Sequence, residues 1–195
     1  MTTQTDVRQH ILETAQPIIL GKGFSAVGIN ELLVAAGVPK GSFYHYFKSK
    51  EGFGEALLEN YFIGYHKRLS KRLSNSEGSA RDRLMSYWQA WYETQTVEGV
   101  EGKCLVVKLG GEVSDLSEPM RMALERGTRT IVTMIEGAIC AGEVDGSLNI
   151  GMGASESALV LYDLWIGATV LSKIRHNPTP LDAAYNMTKQ LLKPG

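Results

Sequence analysis

The stretch Gly37-Val38-Pro39-Lys40-Gly41-Ser42-Phe43-Tyr44-His45-Tyr46-Phe47-Lys48-Ser49-Lys50-Glu51 decides how the chain is read. Just before it, Ile29, Leu32, Leu33 and Ala36 recur at helical spacing, and Gly37 suits the left-handed cap that ends such a helix. Val38-Pro39-Lys40-Gly41 then makes a turn, and Ser42 to Phe47 predicts a second short helix. A helix, a tight Gly-containing turn and another helix form a helix-turn-helix. Phe43 and Phe47, four apart, face inward, which sends Tyr44 and His45 outward as hydrogen-bonding groups with reach. At the start of this helix, Lys40, Gly41 and Ser42 offer an ammonium, a backbone bare of side chain and a hydroxyl, beside amides that a helix N-terminus leaves unpaired. Lys48 and Lys50 follow as phosphate partners. This set suits DNA, because phosphate contacts supply salt-dependent affinity and register while a few side chains read base edges.

The rest of the chain also carries helical period, with no run of alternating Val, Ile and Thr that would argue for a sheet, so an all-α fold is expected. A first helix opens near Asp6, whose carboxylate can cap it with Gln9 three residues on, and carries Val7, Ile11, Ala15, Ile18 and Ile19 on one face. It stops at Gly21-Lys22-Gly23, and Pro17 inside it predicts a kink near Glu13. A long helix from Glu51 to about Leu73 is followed by a polar break at Asn75 to Gly78. Further helices are expected at about 80–96, 105–116, 119–141, 154–173 and 181–192, separated by breaks at Glu98 to Lys103, Gly142 to Gly153 and His176 to Pro180. The expected organisation is a DNA-binding domain over 1–50, with helix four from about 51 leading into a regulatory and dimerisation domain over 51–195.

Composition bounds the alternatives. With 195 residues, 44% of them hydrophobic and 21% charged, the chain can bury a sizeable core, which excludes disordered and collagen-like classes. Residues 1–75 hold nine Lys/Arg against six Asp/Glu, a net +3, and residues 76–195 hold eleven against fifteen, a net −4. The basic end is therefore the end with the helix-turn-helix, as an anionic partner requires. Cys104 and Cys140 stand in no ligand spacing with the four histidines, so neither a metal site nor any other cofactor is expected. None of His10, His45, His66 and His176 is a base that pairs with Cys104, and no Walker loop, Rossmann fingerprint or paired-carboxylate signature occurs, so an enzyme is not expected. The most apolar run, Ala158 to Leu171, has 14 residues and contains Asp163, short of the roughly 20 a membrane span needs. The N-terminus lacks a basic and apolar leader, so a cytoplasmic protein without a membrane partner is predicted.

In the acidic part, Ala154, Ala158, Leu161, Tyr162, Trp165, Thr169 and Ser172 recur at spacings of three and four, and Val160, Leu164, Ile166, Val170 and Leu171 fill much of the rest. A helix apolar nearly all round is buried on more than one side, and small residues at Ala154, Ala158 and Gly167 permit close approach of another helix. This helix and 181–192 are read as a homodimer interface, since two half-sites of a palindromic operator need two readers; a core helix of a monomer is the plainer alternative. Trp88, Trp91, Tyr92, Tyr162 and Trp165 line a ligand pocket or simply fill the core. Cys104 follows Lys103 and precedes the apolar run Leu105-Val106-Val107-Lys108-Leu109, which places it at a helix N-terminus, where the dipole and a cation favour the reactive thiolate. Read from position alone, the commoner case is a small buried hydrophobe, inert in chemistry. Cys140, beside Ala138, Ile139 and Ala141, reads as a structural cysteine.

In order and spacing, Gly37 through Glu51 resembles the signature of the TetR family of bacterial repressors. The resemblance implies a three-helix DNA-binding head followed by a helical ligand-binding and dimerisation body. It further implies that Lys40, Gly41 and Ser42 approach bases while Tyr44, His45, Tyr46 and Lys50 approach the backbone. One departure is Val27-Gly28, where the family often has a Thr or Ser that caps helix two. The body is similar to one branch, the repressors of N-ethylmaleimide reductase genes that respond to electrophiles and oxidants. The stretches that carry it are Gly102-Lys103-Cys104-Leu105-Val106-Val107-Lys108-Leu109, Glu112 to Glu118 with Met120-Arg121, Leu161 to Ala168, and Ser172-Lys173-Ile174. That likeness implies that Cys104 is a sensor thiol modified by a small electrophile or oxidant, and that Lys173 stabilises its thiolate or captures its oxidised form. The alternatives are a repressor released by a reversibly bound small molecule, with Lys173 a solvated charge at a helix C-terminus, and, further off, a cysteine-dependent enzyme.

Overall fold

A computed structural model describes residues 4–97 and 103–195, with side chains from Val7 onward. Among these residues the secondary structure is helical throughout: α1 (Gln4–Lys22), α2 (Ile29–Ala36), α3 (Lys40–Phe47), α4 (Lys50–Leu73), α5 (Ala80–Thr96), α6 (Leu105–Val113), α7 (Glu118–Val144), α8 (Ala154–Arg175) and α9 (Thr179–Leu191). The Asp6 side chain and the break at Glu98 to Gly102 lie outside the described residues. The chain forms two compact units, one of Met1–Gly64 with Gly99–Gly127, the other of Tyr65–Glu98 with Thr128–Gly195.

In the first unit α1 runs unbroken through Pro17, which sits on the exposed side. Its inward face is Ile11, Leu12, Ala15 and Ile19, while Val7 and Ile18 are only half-buried. The N-cap of α2 is Gly28, without a side-chain hydrogen bond, so the usual hydroxyl cap is absent. Its other end follows the expected chemistry: Gly37 has φ 64°, its N–H donates to Val34 O at 3.2 Å, and the N–H of Val38 donates to Leu33 O at 3.1 Å. That is a Schellman cap, satisfying carbonyls the helix would otherwise leave open.

Helix α3 begins at Lys40, two residues before the sequence pattern places it. Pro39, with φ −71°, is its N-cap, and the N–H of Ser42 donates to Pro39 O at 3.0 Å, so Lys40-Gly41-Ser42 is the first helical turn. Rings of Phe43, Phe47 and Phe53 lie 5.2 to 5.3 Å apart and fasten α3 to the first turns of α4. The corner between them is tight. Lys48 has φ 62°, Ser49 Oγ accepts from Gly52 N at 2.9 Å as the cap of α4, and a Cβ on Gly52 would collide with the Phe47 carbonyl oxygen.

In the second unit, Ser79 and Asp82 form a capping box at the start of α5, and α8 packs on α9. The faces of α8 divide cleanly. Ala158, Leu161, Tyr162, Trp165, Ala168 and Thr169 are buried, whereas Leu159, Val160, Val170, Leu171 and Ile174 are exposed, Ile174 by 67%. Met187 of α9 is exposed too. By length and composition α8, with 22 residues, is apolar enough to cross a membrane, more so than its longest apolar run indicates; its Trp165 face is packed within the unit, as in a core helix.

Candidate nucleic-acid interface and sensor site

The exposure pattern of α3 divides the helix into a packed side and an exposed one. Phe43 and Phe47 are buried, while Lys40, Gly41, Tyr44, His45 and Lys48 are exposed and Ser42, Tyr46 and Lys50 half-buried. Lys40 Nζ lies 5.8 Å from the centre of the Tyr44 ring, so ammonium and phenol are presented side by side. A Cβ at Gly41 would meet nothing within 4 Å, so no packing demand of this chain explains a glycine there. We expect Gly41→Ala to raise stability by about 0.5 to 1 kcal/mol through helix propensity and yet to weaken operator binding by about tenfold or more. Thermal unfolding and DNA titration of the same protein check both signs.

Lys50 has a second engagement. Its ammonium lies 4.9 Å from the centre of the Phe24 ring and donates to Ser25 O at 3.4 Å. Phe24 and Ser25 belong to the elbow between α1 and α2, and that elbow is also held from α6. The Glu112 carboxylate accepts from Phe24 N at 3.1 Å and from Ser25 N at 2.6 Å, and Lys108 Nζ donates to Gly21 O at 3.1 Å. Burial alone raises the Glu112 carboxyl, but hydrogen bonds from Ser25, then from Phe24, and the nearby Lys108 ammonium outweigh it and bring it below its ordinary value. Glu112 is therefore ionised at neutral pH, and its contribution to stability, fully present above the ordinary carboxylate value, is lost progressively as pH falls from that value through the lowered one.

Cys104 is the N-cap of α6, as the sequence position predicts, and its carbonyl accepts from Lys108 N at 3.2 Å. It is only 7% exposed. Burial disfavours a thiolate, the helix N-terminus favours one, and the Tyr61 hydroxyl, directed at Sγ from 4.0 Å, adds a donor to the sulfur. Cys140 corrects the sequence reading: it is exposed. Ile131, Ile135 and Ile139 form the buried line of α7, and the residue after Ile139 turns about 100° away from it, to solvent. Lys173 is exposed in the last turn of α8, in the second unit.

The aromatic set of the second unit is packed on itself. Trp88 and Trp165 stack with ring centres 5.2 Å apart and planes 17° off parallel, and Trp91 and Tyr162 meet edge to face at 6.0 Å. Trp91 Nε1 donates to Thr169 Oγ1 at 3.0 Å and Trp165 Nε1 to Thr188 Oγ1 at 2.9 Å. Trp88 Nε1 is buried without a hydrogen-bond partner among the described residues. Tyr92 stands apart, half-buried, its hydroxyl donating to Asp182 Oδ1 at 2.7 Å, a bond that raises the phenol above its usual pKa.

The sequence pattern does not point to Tyr61, Lys108 or Glu112 as site residues. The i, i+4 spacing of Lys108 and Glu112 shows a shared helix face, but their partners lie 87 residues away in the chain, where no local pattern reaches.

Residues 11–57 match the family described as bacterial regulatory proteins, tetR family, and residues 80–188 match the tetracyclin repressor-like C-terminal domain. The chain belongs to the TetR family of DNA-binding regulators. It is 41% identical to the HTH-type transcriptional repressor NemR of Escherichia coli (strain K12), over 97% of this chain and 96% of that protein. It is 32% identical to the repressor DhaR of Mycobacterium sp. (strain GP1), over 98% and 94% of the two chains. The crystal structure of the reduced form of E. coli NemR superposes with a TM-score of 0.92, covering 97% of this chain and 98% of that one at 42% identity.

Proposed function

We propose that this chain is a cytoplasmic, homodimeric transcriptional repressor that binds a palindromic operator through residues 1–50 and is released when a small electrophile or oxidant modifies Cys104. Residues 51–195 form the regulatory and dimerisation part. The observation that carries the sensing role is the place of Cys104 at the head of α6 with the Tyr61 hydroxyl at its sulfur. Support comes also from NemR, a repressor by name, whose crystal structure is described as a reduced form. In the DNA-binding role, Lys40, Gly41 and Ser42 read bases, and Tyr44, His45, Tyr46, Lys48 and Lys50 hold the backbone. Lys173 serves the oxidised state of Cys104.

A second reading, release by a reversibly bound apolar or aromatic ligand among Trp88, Trp91, Tyr92, Tyr162 and Trp165, is favoured by one observation, the buried and unpartnered Trp88 Nε1. It predicts an intact response after Cys104→Ser.

The DNA-binding role is tested on an operator selected by the protein from a pool of random-sequence duplexes. Lys50→Ala should weaken binding to all sequences and lower the salt-dependence slope by about 0.9 for the lost phosphate contact. Lys40→Ala should also change which sequences are selected. Unchanged affinity and slope in Lys50→Ala would place the reading face elsewhere.

A further inference from the structure

Cys104, Lys108 and Glu112 follow one another at intervals of four, one above the next along α6. The upper two turns of this line end on the elbow that leads into the DNA-reading helices. Lys108 Nζ takes Gly21 O in the last turn of α1, where carbonyls lack helical partners and a cation is favoured, and the Glu112 carboxylate takes the amides of Phe24 and Ser25 just beyond. The fit is close. Gly23 has φ 95°, and a Cβ there would stand 3.0 Å from Glu112 Oε2. Phe24 and Val27 are buried, so the elbow is anchored on both sides of the amides that Glu112 holds, and Gly28 starts α2 with no side-chain cap of its own.

We propose that Lys108 and Glu112 form a latch on the α1–α2 elbow, which positions α2 and α3 for operator reading and carries a disturbance at Cys104 to them. They are positioning residues: neither is assigned a DNA contact. The reason is mechanical and electrostatic together. The first backbone hydrogen bond of α6 joins Cys104 O to Lys108 N, so an adduct that displaces the head of the helix moves Lys108 directly and Glu112 one turn later. A carboxylate bond to two amides is strong only while both distances hold, and packed elements shift between discrete arrangements rather than bending continuously. Lys50, which also touches Phe24 and Ser25, would feel the same movement through those two residues.

The latch rests on the Cys104 reading for its input but not for its positioning role, and the test separates the two. Wild type, Glu112→Gln and Cys104→Ser are titrated with the selected operator and with mixed-sequence DNA, before and after exposure to N-ethylmaleimide, with mass spectrometry confirming the extent of Cys104 alkylation. Unmodified Glu112→Gln should lose about tenfold in operator affinity, the size expected when a charged acceptor becomes neutral. Its binding to mixed-sequence DNA should stay within about twofold of wild type; partial unfolding would lower both equally. Alkylation should then weaken operator binding of Glu112→Gln by far less than it weakens wild type, because substitution and adduct open the same latch. Full alkylation with a release factor equal to that of wild type would overturn the transmission role. Unchanged operator preference in unmodified Glu112→Gln would overturn the positioning role. If wild type itself is not released, or Cys104→Ser is released as wild type is, the sensor reading and the transmission role fall together, and the latch stands or falls on operator preference alone.

Discussion

The double variant Val170→Asp, Leu171→Asp is expected to stay folded, to sediment as a monomer and to lose operator affinity by a factor of about 10² to 10⁴, the range lost when two linked binding events become one. Both side chains are exposed, on the side of α8 opposite the Trp165 face, as Val160 and Ile174 are, and Met187 of α9 is exposed as well. Because the buried side of α8 is untouched, the chain's own core does not sense the change. In a symmetric interface each substitution occurs twice, so carboxylates from both chains would be enclosed in an apolar surface, at a cost of several kcal/mol for each charge. Two reading helices spaced by roughly one turn of DNA, about 34 to 36 Å, require the dimer. A variant that remains dimeric and binds the operator normally would move the interface off α8 and α9. Wild type that sediments as a monomer both free and on DNA would end the dimer account altogether.

Alkylation of Cys104 should release the operator without unfolding the chain. In the reaction Sγ forms a bond to the β carbon of the maleimide, and the acceptor's α carbon takes up the proton the thiol gives up. The product is bulkier and lies at a position only 7% exposed, at the cap of α6 and beside Tyr61. Overpacking costs about 1 to 3 kcal/mol per site, and a dimer has two sites, so the bound arrangement loses about 2 to 6 kcal/mol. Moving a population from 99:1 to 1:99 takes about 5.5 kcal/mol, so the upper part of that range empties the operator. Cys140, although exposed, should be alkylated without consequence, and Cys140→Ser should respond as wild type does. With hydrogen peroxide the thiolate sulfur attacks one peroxide oxygen, the O–O bond breaks, and a sulfenic acid and a hydroxide ion result, a smaller change in volume. There Lys173→Ala should blunt the response more than it does for the alkylator.

What the sequence revealed follows the range of the interactions involved. Helix α2, its Gly37 cap and the outward turn of Tyr44 and His45 depend on residues within four positions of one another, and periodicity reads such relations directly. The position of Cys104 at a helix N-terminus was legible for the same reason. The sequence pattern starts α3 at Ser42 because Val38-Pro39-Lys40-Gly41 reads as a turn; a proline before a helix serves equally as its N-cap, which brings Lys40 and Gly41 into the first helical turn. Apolar neighbours make Cys140 read as a structural cysteine, although a helix turns about 100° per residue and Ile139 already occupies the inward line, which leaves Cys140 exposed. Tyr61 at Cys104 and Glu112 at Ser25 join residues 43 and 87 positions apart, and only the fold brings them together. The two faces of α8 were both legible as apolar, but which one meets the chain's own core was decided by Trp88 and Trp91 of α5, far away in sequence.

If operator binding is controlled through one sulfur atom, the most direct measurement is the operator affinity of wild type, Cys104→Ser and Cys140→Ser before and after a brief exposure to N-ethylmaleimide. All three unmodified proteins should bind alike. After exposure, wild type and Cys140→Ser should lose affinity by about thirtyfold or more, the factor that corresponds to the lower bound of the packing cost, with unchanged helical content, while Cys104→Ser holds the operator. Release of Cys104→Ser to the same extent as wild type would contradict the account and move the switch away from Cys104.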